Sequence, residues 1–275
     1  MTEPTSVWTE AESATYRDLS RYAVPERERQ IAIVETLVRA ADIGGDVLDL
    51  CCGEGLLTEA LLRALPGVTV HAYDGSESML ATTRRRADAA DRLRTRVIDL
   101  AAREWRRFDR PLRAVVSSLA IHHLGDAGKR ALFADLHAAL ASGGVFVLAD
   151  VIRPATAIGH EIAARMWDEE VRRRAFALDG SEDGFEAFRR ADWNHFRHAV
   201  LDPFDQPATV AEHVAYPDDG PVAVAGVERD GQRNGLPEGN VVMRRCRCRR
   251  RRGGRVPGVG DARDEAGDVP CRVQM

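Results

Sequence analysis

A chain of 275 residues, 44% of them hydrophobic and 30% charged, is long enough to bury one sizeable core and reads as soluble and globular. Its 39 basic residues nearly balance 43 acidic ones for a net charge of −4, which excludes a global field that would draw the molecule to nucleic acid. No apolar run approaches the ~20 residues of a membrane span. MTEPTSVWTEAES lacks the apolar stretch of a secretory signal. The five cysteines show no C-x-x-C spacing, so no metal-ligand set is read from them and a reducing cytoplasm is the expected compartment.

Residues 8–40 have helical periodicity, and Pro25 should split them into two helices. Apolar strand patterns follow at 46–50, 68–73, 94–100, 112–119 and 143–150, separated by helical patterns at 54–65, 76–90 and 128–141. Such alternation predicts right-handed βαβ units, hence an α/β fold with a doubly wound, mostly parallel sheet. Residues 157–178 read as one long helix and 181–215 as irregular to helical. Beyond about residue 216 the chain turns rich in Gly, Pro, Arg and Asp and includes RRCRCRRRRGGR. There the periodicity fails, and 216–275 reads as an atypical, disordered tail.

The stretch VLDLCCGEGLL, residues 47–57, carries the functional signal. Asp49 ends a strand, and Gly53 and Gly55 lie in the turn that opens a helix, where bare backbone and free N–H groups admit a ligand. The third glycine of a dinucleotide fingerprint is missing, and a carboxylate precedes the loop. That acid repels a pyrophosphate and favours a cationic sulfonium amino acid, so S-adenosyl-L-methionine is preferred to NAD. Asp74, with Gly75 beside it, ends the second strand and can accept from ribose hydroxyls. Asp99 and Leu100 end the third strand, with an acceptor for an adenine amino group and an apolar wall for the ring. Ser118 ends the fourth, where the methionine portion should lie.

In order, VLDLCCGEG, VHAYDGSESML, VIDL, FDRPLRAVVSSLAIHHL and LASGGVFVLADVIRP resemble the successive motifs of the class I S-adenosylmethionine-dependent methyltransferases, a Rossmann-like family. The resemblance spans roughly residues 30–155. It implies a seven-stranded sheet whose last strand is antiparallel, with Asp49, Cys51, Gly53, Gly55, Asp74, Gly75, Asp99, Leu100 and Ser118 at the cofactor. Cys51 stands where the family usually has glycine, a mild departure at negative φ and a costly one at positive φ. The expected layout is a methyltransferase domain over 1–215, with a core at 30–155 and lid or cover helices at 8–40 and 157–200. The family's A-G-F-like turn and final hairpin are absent; GPVAVAGVE and GNVVMRRC could form a substitute hairpin. The abrupt change of composition suggests a reading frame lost after about residue 210, which the nucleotide sequence would decide.

Methyl transfer from a sulfonium mainly needs alignment of the acceptor, and a base only if the acceptor is protonated. His122, His123, His195 and His198 are the candidate bases, with His123 and His195 put forward, and the catalytic residues are otherwise unassigned. Tyr16, Tyr22 and Trp193 fit interhelix packing better than pocket closure. Cys51 and Cys52 read as small buried residues. The acceptor expected under the cover helices is a small molecule. Alternatives are an RNA-related enzyme, including one making carboxy-S-adenosylmethionine for tRNA modification, or a cofactor-binding protein that has lost catalysis. The arginine run could bind RNA phosphates but lacks interleaved aromatic residues for base stacking.

Overall fold

The computed structural model describes residues 9–88, 91–198, 204–215, 222–225 and 241–242. Two helices open the chain, α1 (Glu10–Ala23) and α2 (Arg27–Ala40), separated at Pro25. Thr9 starts α1 with a capping box: its hydroxyl accepts from Glu12 N at 3.2 Å and its own N–H donates to Glu12 Oε2 at 2.5 Å. Then follow β1 (Val47–Leu50), α3 (Leu56–Ala64), β2 (Val70–Asp74), α4 (Glu77–Arg86), β3 (Leu93–Val97), β4 (Leu112–Ser118), α5 (Asp126–Ala139) and β5 (Leu140–Ala149). The long α6 (Ala157–Asp179) ends at Gly180, whose φ of 70° only glycine adopts readily. After it come α7 (Asp183–Arg190), α8 (Val210–Ala215), β6 (Val222–Ala225) and β7 (Val241–Val242).

The strands form one sheet in the order β3-β2-β1-β4-β5-β6-β7, parallel from β3 through β6, with β7 antiparallel to β6. The two segments named above as a substitute hairpin thus pair with each other, the first also extending the sheet beside β5. The remainder of 216–275, on which the expectations of disorder and of a lost reading frame fall, lies outside the described residues.

Both faces of the sheet are covered. Leu48 and Leu50 join Val115, Leu132, Phe133, Phe146 and Leu148 on one face, while Val47 joins Val34, Val38, Leu61, Val70 and Val116 on the other. Strand side chains alternate, so Asp49 shares the face of Val47 and points toward α2 and α3. A third cluster holds the cover together: Tyr22 and Ala23 of α1 pack with Val171 and Ala175 of α6 and with Phe185 and Phe188 of α7. Trp167 Nε1 also donates to Ala23 O at 2.8 Å. Burying each phenylalanine there contributes ~1.5–3 kcal/mol, enough to make α1, α6 and α7 one unit. Tyr16 stacks obliquely on Trp193, ring centroids 5.9 Å apart, within the same unit. No helix among the described residues is long and apolar enough to cross a membrane.

Candidate functional site

Parallel strands bring their carboxyl ends to one edge, and the loop between β1 and α3 crosses it beside β4, where the strand order reverses direction. Three bonds tie this loop to its neighbours. Cys52 N donates to Tyr73 O at 3.0 Å, Gly53 N to Asp74 Oδ2 at 2.8 Å, and Thr83 Oγ1 to Gly53 O at 2.8 Å. Positive φ values at Cys51 (57°), Gly53 (55°) and Gly55 (79°) give the loop its tight course. A Cβ built on Gly53 meets nothing within 4 Å, whereas one on Gly55 would lie 2.7 Å from Thr83 Cγ2. Gly53 therefore borders open space and Gly55 a packed wall.

At Cys51 the structure resolves the question raised by the sequence: a non-glycine residue occupies the left-handed region. Its unbranched side chain packs against the core on the Leu50 side, which offsets part of the strain. A β-branched replacement lacks that tolerance, so Cys51→Val is expected to lower unfolding free energy in urea by about 2 kcal/mol. Burial pushes both the Cys51 and Cys52 thiols well above their usual pKa, leaving them neutral and unreactive.

Asp49 lies beneath the loop, 1% exposed, and its Oδ2 accepts from Thr58 Oγ1 of α3 at 2.6 Å. Burial, opposed by that hydrogen bond and reinforced by the charge of Asp74, raises its pKa to about 7. Asp74 is also buried, and its two oxygens accept from Gly53 N and, at 2.9 Å, from Ser76 N. Burial raises its pKa too, against the backbone hydrogen bonds. Gly75 beside it is exposed. Asp99 is exposed as well, with Oδ1 accepting from Ala101 N at 2.9 Å; it lies next to Ile98, whose N–H donates to Asp74 O. Leu100 is half-buried against the core, and Ser118 ends β4 opposite Ala149 of β5. The nine cofactor candidates therefore all fall on the carboxyl ends of β1 to β4 or the turns just beyond them.

Sequence reading missed Glu10. From the first turn of α1 its carboxylate accepts from Ser76 Oγ at 2.9 Å and also from Ser78 Oγ, while Arg17 Nη1 donates to Ser78 Oγ at 2.7 Å. These contacts anchor α1 over the turn that follows Asp74.

A second cluster forms beyond β4 and β5. The 3₁₀ turn Ile121–His123 presents two imidazoles, with ring centroids 4.1 Å apart. Asp150, just after β5, accepts from the His122 backbone N–H at 2.9 Å and pairs through Oδ1 with His122 Nδ1 at 2.5 Å. Asp205 Oδ1 lies 3.1 Å from His123 Nδ1 and 3.6 Å from His122 Nε2, and its Oδ2 lies 3.9 Å from His195 Nδ1. The segment carrying Asp205 is clipped in place. Gln206 N donates to His122 O at 2.8 Å, buried Lys129 donates to Gln206 O, and Arg153 Nε donates to Pro207 O at 3.1 Å.

Burial opposes the charged form of His122, but the charge and hydrogen bond of Asp150 outweigh it and raise its pKa. Burial and then the His122 charge lower His123, and the same causes bring His195 down to about 4. Burial pushes Asp205 up, yet the His123 hydrogen bond and the surrounding imidazoles hold it at about 2. His122, His123 and His195, candidates from sequence, thus share one site with Asp150 and Asp205. The two acids gave no signal of their own in the sequence.

Residues 47–144 match the family model described as "Methyltransferase domain". Over that segment the chain is similar to a methyltransferase domain. An uncharacterized methyltransferase of Synechocystis sp. is 33% identical over 111 residues, 40% of this chain and 49% of the relative. A carboxy-S-adenosyl-L-methionine synthase of Chromohalobacter salexigens is 31% identical over 143 residues, covering 50% and 52%. Among solved structures, an S-adenosylmethionine-bound amino pentose methyltransferase from Micromonospora echinaspora shares 27% identity over 54% of this chain and 59% of its own, with a TM-score of 0.41. The chain spans about half the length of the two curated relatives. The matched segment includes the loop, Asp74, Asp99, Ser118 and His123; Glu10, Asp150, His195 and Asp205 lie outside it.

Proposed function

We propose that the chain binds S-adenosyl-L-methionine along the carboxyl ends of β1 to β4 and methylates a small-molecule acceptor held beneath α1, α6 and α7. When bound, this cofactor supplies a methyl group already activated by a positively charged sulfur. The observation that carries the reading is the pairing of open space at Gly53 with two buried acids, Asp49 and Asp74, on adjacent strands. Burial raises the Asp49 pKa to about 7 despite the Thr58 hydrogen bond and the charge of Arg27, and a cationic ligand on the loop would favour its charged form. Asp74 has lone pairs left for hydroxyl donors after accepting its two backbone N–H groups. Asp99 and Leu100 would hold the base, and Ser118 would border the amino-acid end.

The histidine cluster then borders the acceptor. His123 and His195, neutral at pH 7 because burial lowers both pKa values, can accept a hydrogen bond or a proton from an acceptor N–H or O–H. Their neighbours Trp167 and Phe196, packed on the His195 ring at 4.9 and 4.7 Å, supply apolar walls suited to a compact ligand.

Titration calorimetry of the full chain with S-adenosylhomocysteine tests the binding. Saturable binding is expected for the wild type. Asp74→Asn is expected to weaken it at least tenfold and to lower stability by about 1–2 kcal/mol, because one oxygen acceptor is lost. Absence of saturable binding to folded wild-type protein would sink the proposal.

A further inference from the structure

The second cluster has a geometry that proton transfer alone does not require. We propose that His122, His123 and Asp205, with His195 as a further donor, form a binding site for a divalent first-row transition-metal ion of the zinc type. One ligand atom from each of the first three residues lies within 4.8 Å of the others. Donors bound to one tetrahedral zinc ion at ~2.0–2.2 Å are about 3.3 Å apart. The 3.1 Å and 3.6 Å separations of Asp205 Oδ1 from the two imidazoles bracket that value.

Two further observations point to a ligand. His122 Nδ1 is held by Asp150, whose side chain is fully buried, and this presents Nε2 toward Asp205. An outer carboxylate that fixes the tautomer and orientation of an imidazole is the usual support of a metal-bound histidine. In addition, buried His195 brings its Nδ1 to 3.9 Å from Asp205 Oδ2, beside the three-residue group.

Nitrogen and carboxylate donors in this mixture suit zinc and its neighbours better than calcium or magnesium, which prefer oxygen alone. The ion's two positive charges would balance Asp150 and Asp205. His123, whose Nδ1 now faces Asp205 and Phe204 O, would carry its single proton on Nε2 instead, which frees the Nδ1 lone pair for the ion without loss of a proton from that ring or any redox change. Spacing rules miss such a site because its donors come from three separate segments: 122–123, 195 and 205.

The test uses the tag-free full chain, treated with chelator, dialysed and titrated with cobalt(II) or zinc(II) alone, following visible d–d absorption and heat. One equivalent per chain is expected, with magnesium and calcium failing to compete. His123→Ala and Asp205→Asn should each weaken binding at least about tenfold, and Asp150→Asn by about 10–100-fold. Thermal melts would identify any variant that fails to fold. No saturable binding by the wild type would overturn the proposal without recourse to variants. So would wild-type affinity retained in both folded His123→Ala and Asp205→Asn, which would place the ion elsewhere, for example on the cysteines. Neither readout depends on methyl transfer or on cofactor binding.

Discussion

Replacing Asp49 with asparagine is expected to stabilise the ligand-free chain by about 4 kcal/mol above pH 7 and to weaken S-adenosylmethionine binding at least tenfold. The stability gain follows from proton linkage. Burial raises the Asp49 pKa from 3.8 to about 7 in the folded state. Between those values the folded protein keeps a proton that the unfolded chain has released, so stability falls by about 1.4 kcal/mol for each pH unit. Above pH 7 both states are ionised and the penalty is constant; below the unfolded pKa both are protonated and it vanishes. Asparagine is neutral throughout and retains an oxygen for the Thr58 hydroxyl, which now bonds Asp49 at 2.6 Å. Urea unfolding should therefore show a gain of about 4 kcal/mol at pH 8 and only about 1.5 kcal/mol at pH 5. Equal gains at the two pH values would mean that Asp49 is not held protonated. Loss of affinity is the other half of the argument: a sulfonium and an ammonium on the loop would draw Asp49 toward its charged form. Wild-type binding near pH 6 should release protons, measurable as a dependence of the binding heat on buffer, and the variant should show none. A residue that strains the empty fold while serving a cationic ligand is the usual trade between stability and function.

Much of this arrangement was legible because it is periodic. Pro25 divides α1 from α2, and the apolar pattern at 157–178 corresponds to α6 at Ala157–Asp179. Three aspartates at the ends of successive apolar runs must lie along one edge of the sheet if the strands are parallel, since every carboxyl end then lies there. Local pattern also carried the two glycines of the first loop. It could not carry the backbone angle at Cys51, because 57° in φ depends on how Cys52 N reaches Tyr73 O on the neighbouring strand. Nor could it reveal that Asp49 faces α3, although strand alternation relative to Val47 and Leu48 contains the answer once both faces are known to be buried. The least legible residues were Asp150 and Asp205. His122 pairs with Asp150 across 28 residues, and His123 reaches Phe204 across 81. Their register is set by the β4–β5 pairing and by the single lysine of the chain, Lys129, holding Gln206 O. None of these is a repeat that a window along the sequence can detect.

The two loop glycines should separate fold from ligand in opposite ways. Gly55→Ala is expected to cost about 3 kcal/mol of stability: about 1 from the left-handed φ of 79° and the rest from overlap with Thr83, whose Cγ2, Oγ1 and Cβ would all lie within 2.7–2.9 Å of the new methyl group. Thr83 cannot retreat freely, because its hydroxyl also holds Gly53 O at 2.8 Å. Gly53→Ala places a methyl group where nothing lies within 4 Å and has a φ of 55° that alanine tolerates at about 1 kcal/mol. Its fold should survive nearly intact, yet the methyl group enters the space proposed for the cofactor. Steric exclusion worth about 2 kcal/mol there corresponds to roughly thirtyfold weaker S-adenosylhomocysteine binding. Urea midpoints and calorimetric affinities of the two variants therefore test the loop as a cradle. If Gly53→Ala binds as the wild type does, the open side of the loop is not where the cofactor lies, and the acids beneath it must answer to another ligand.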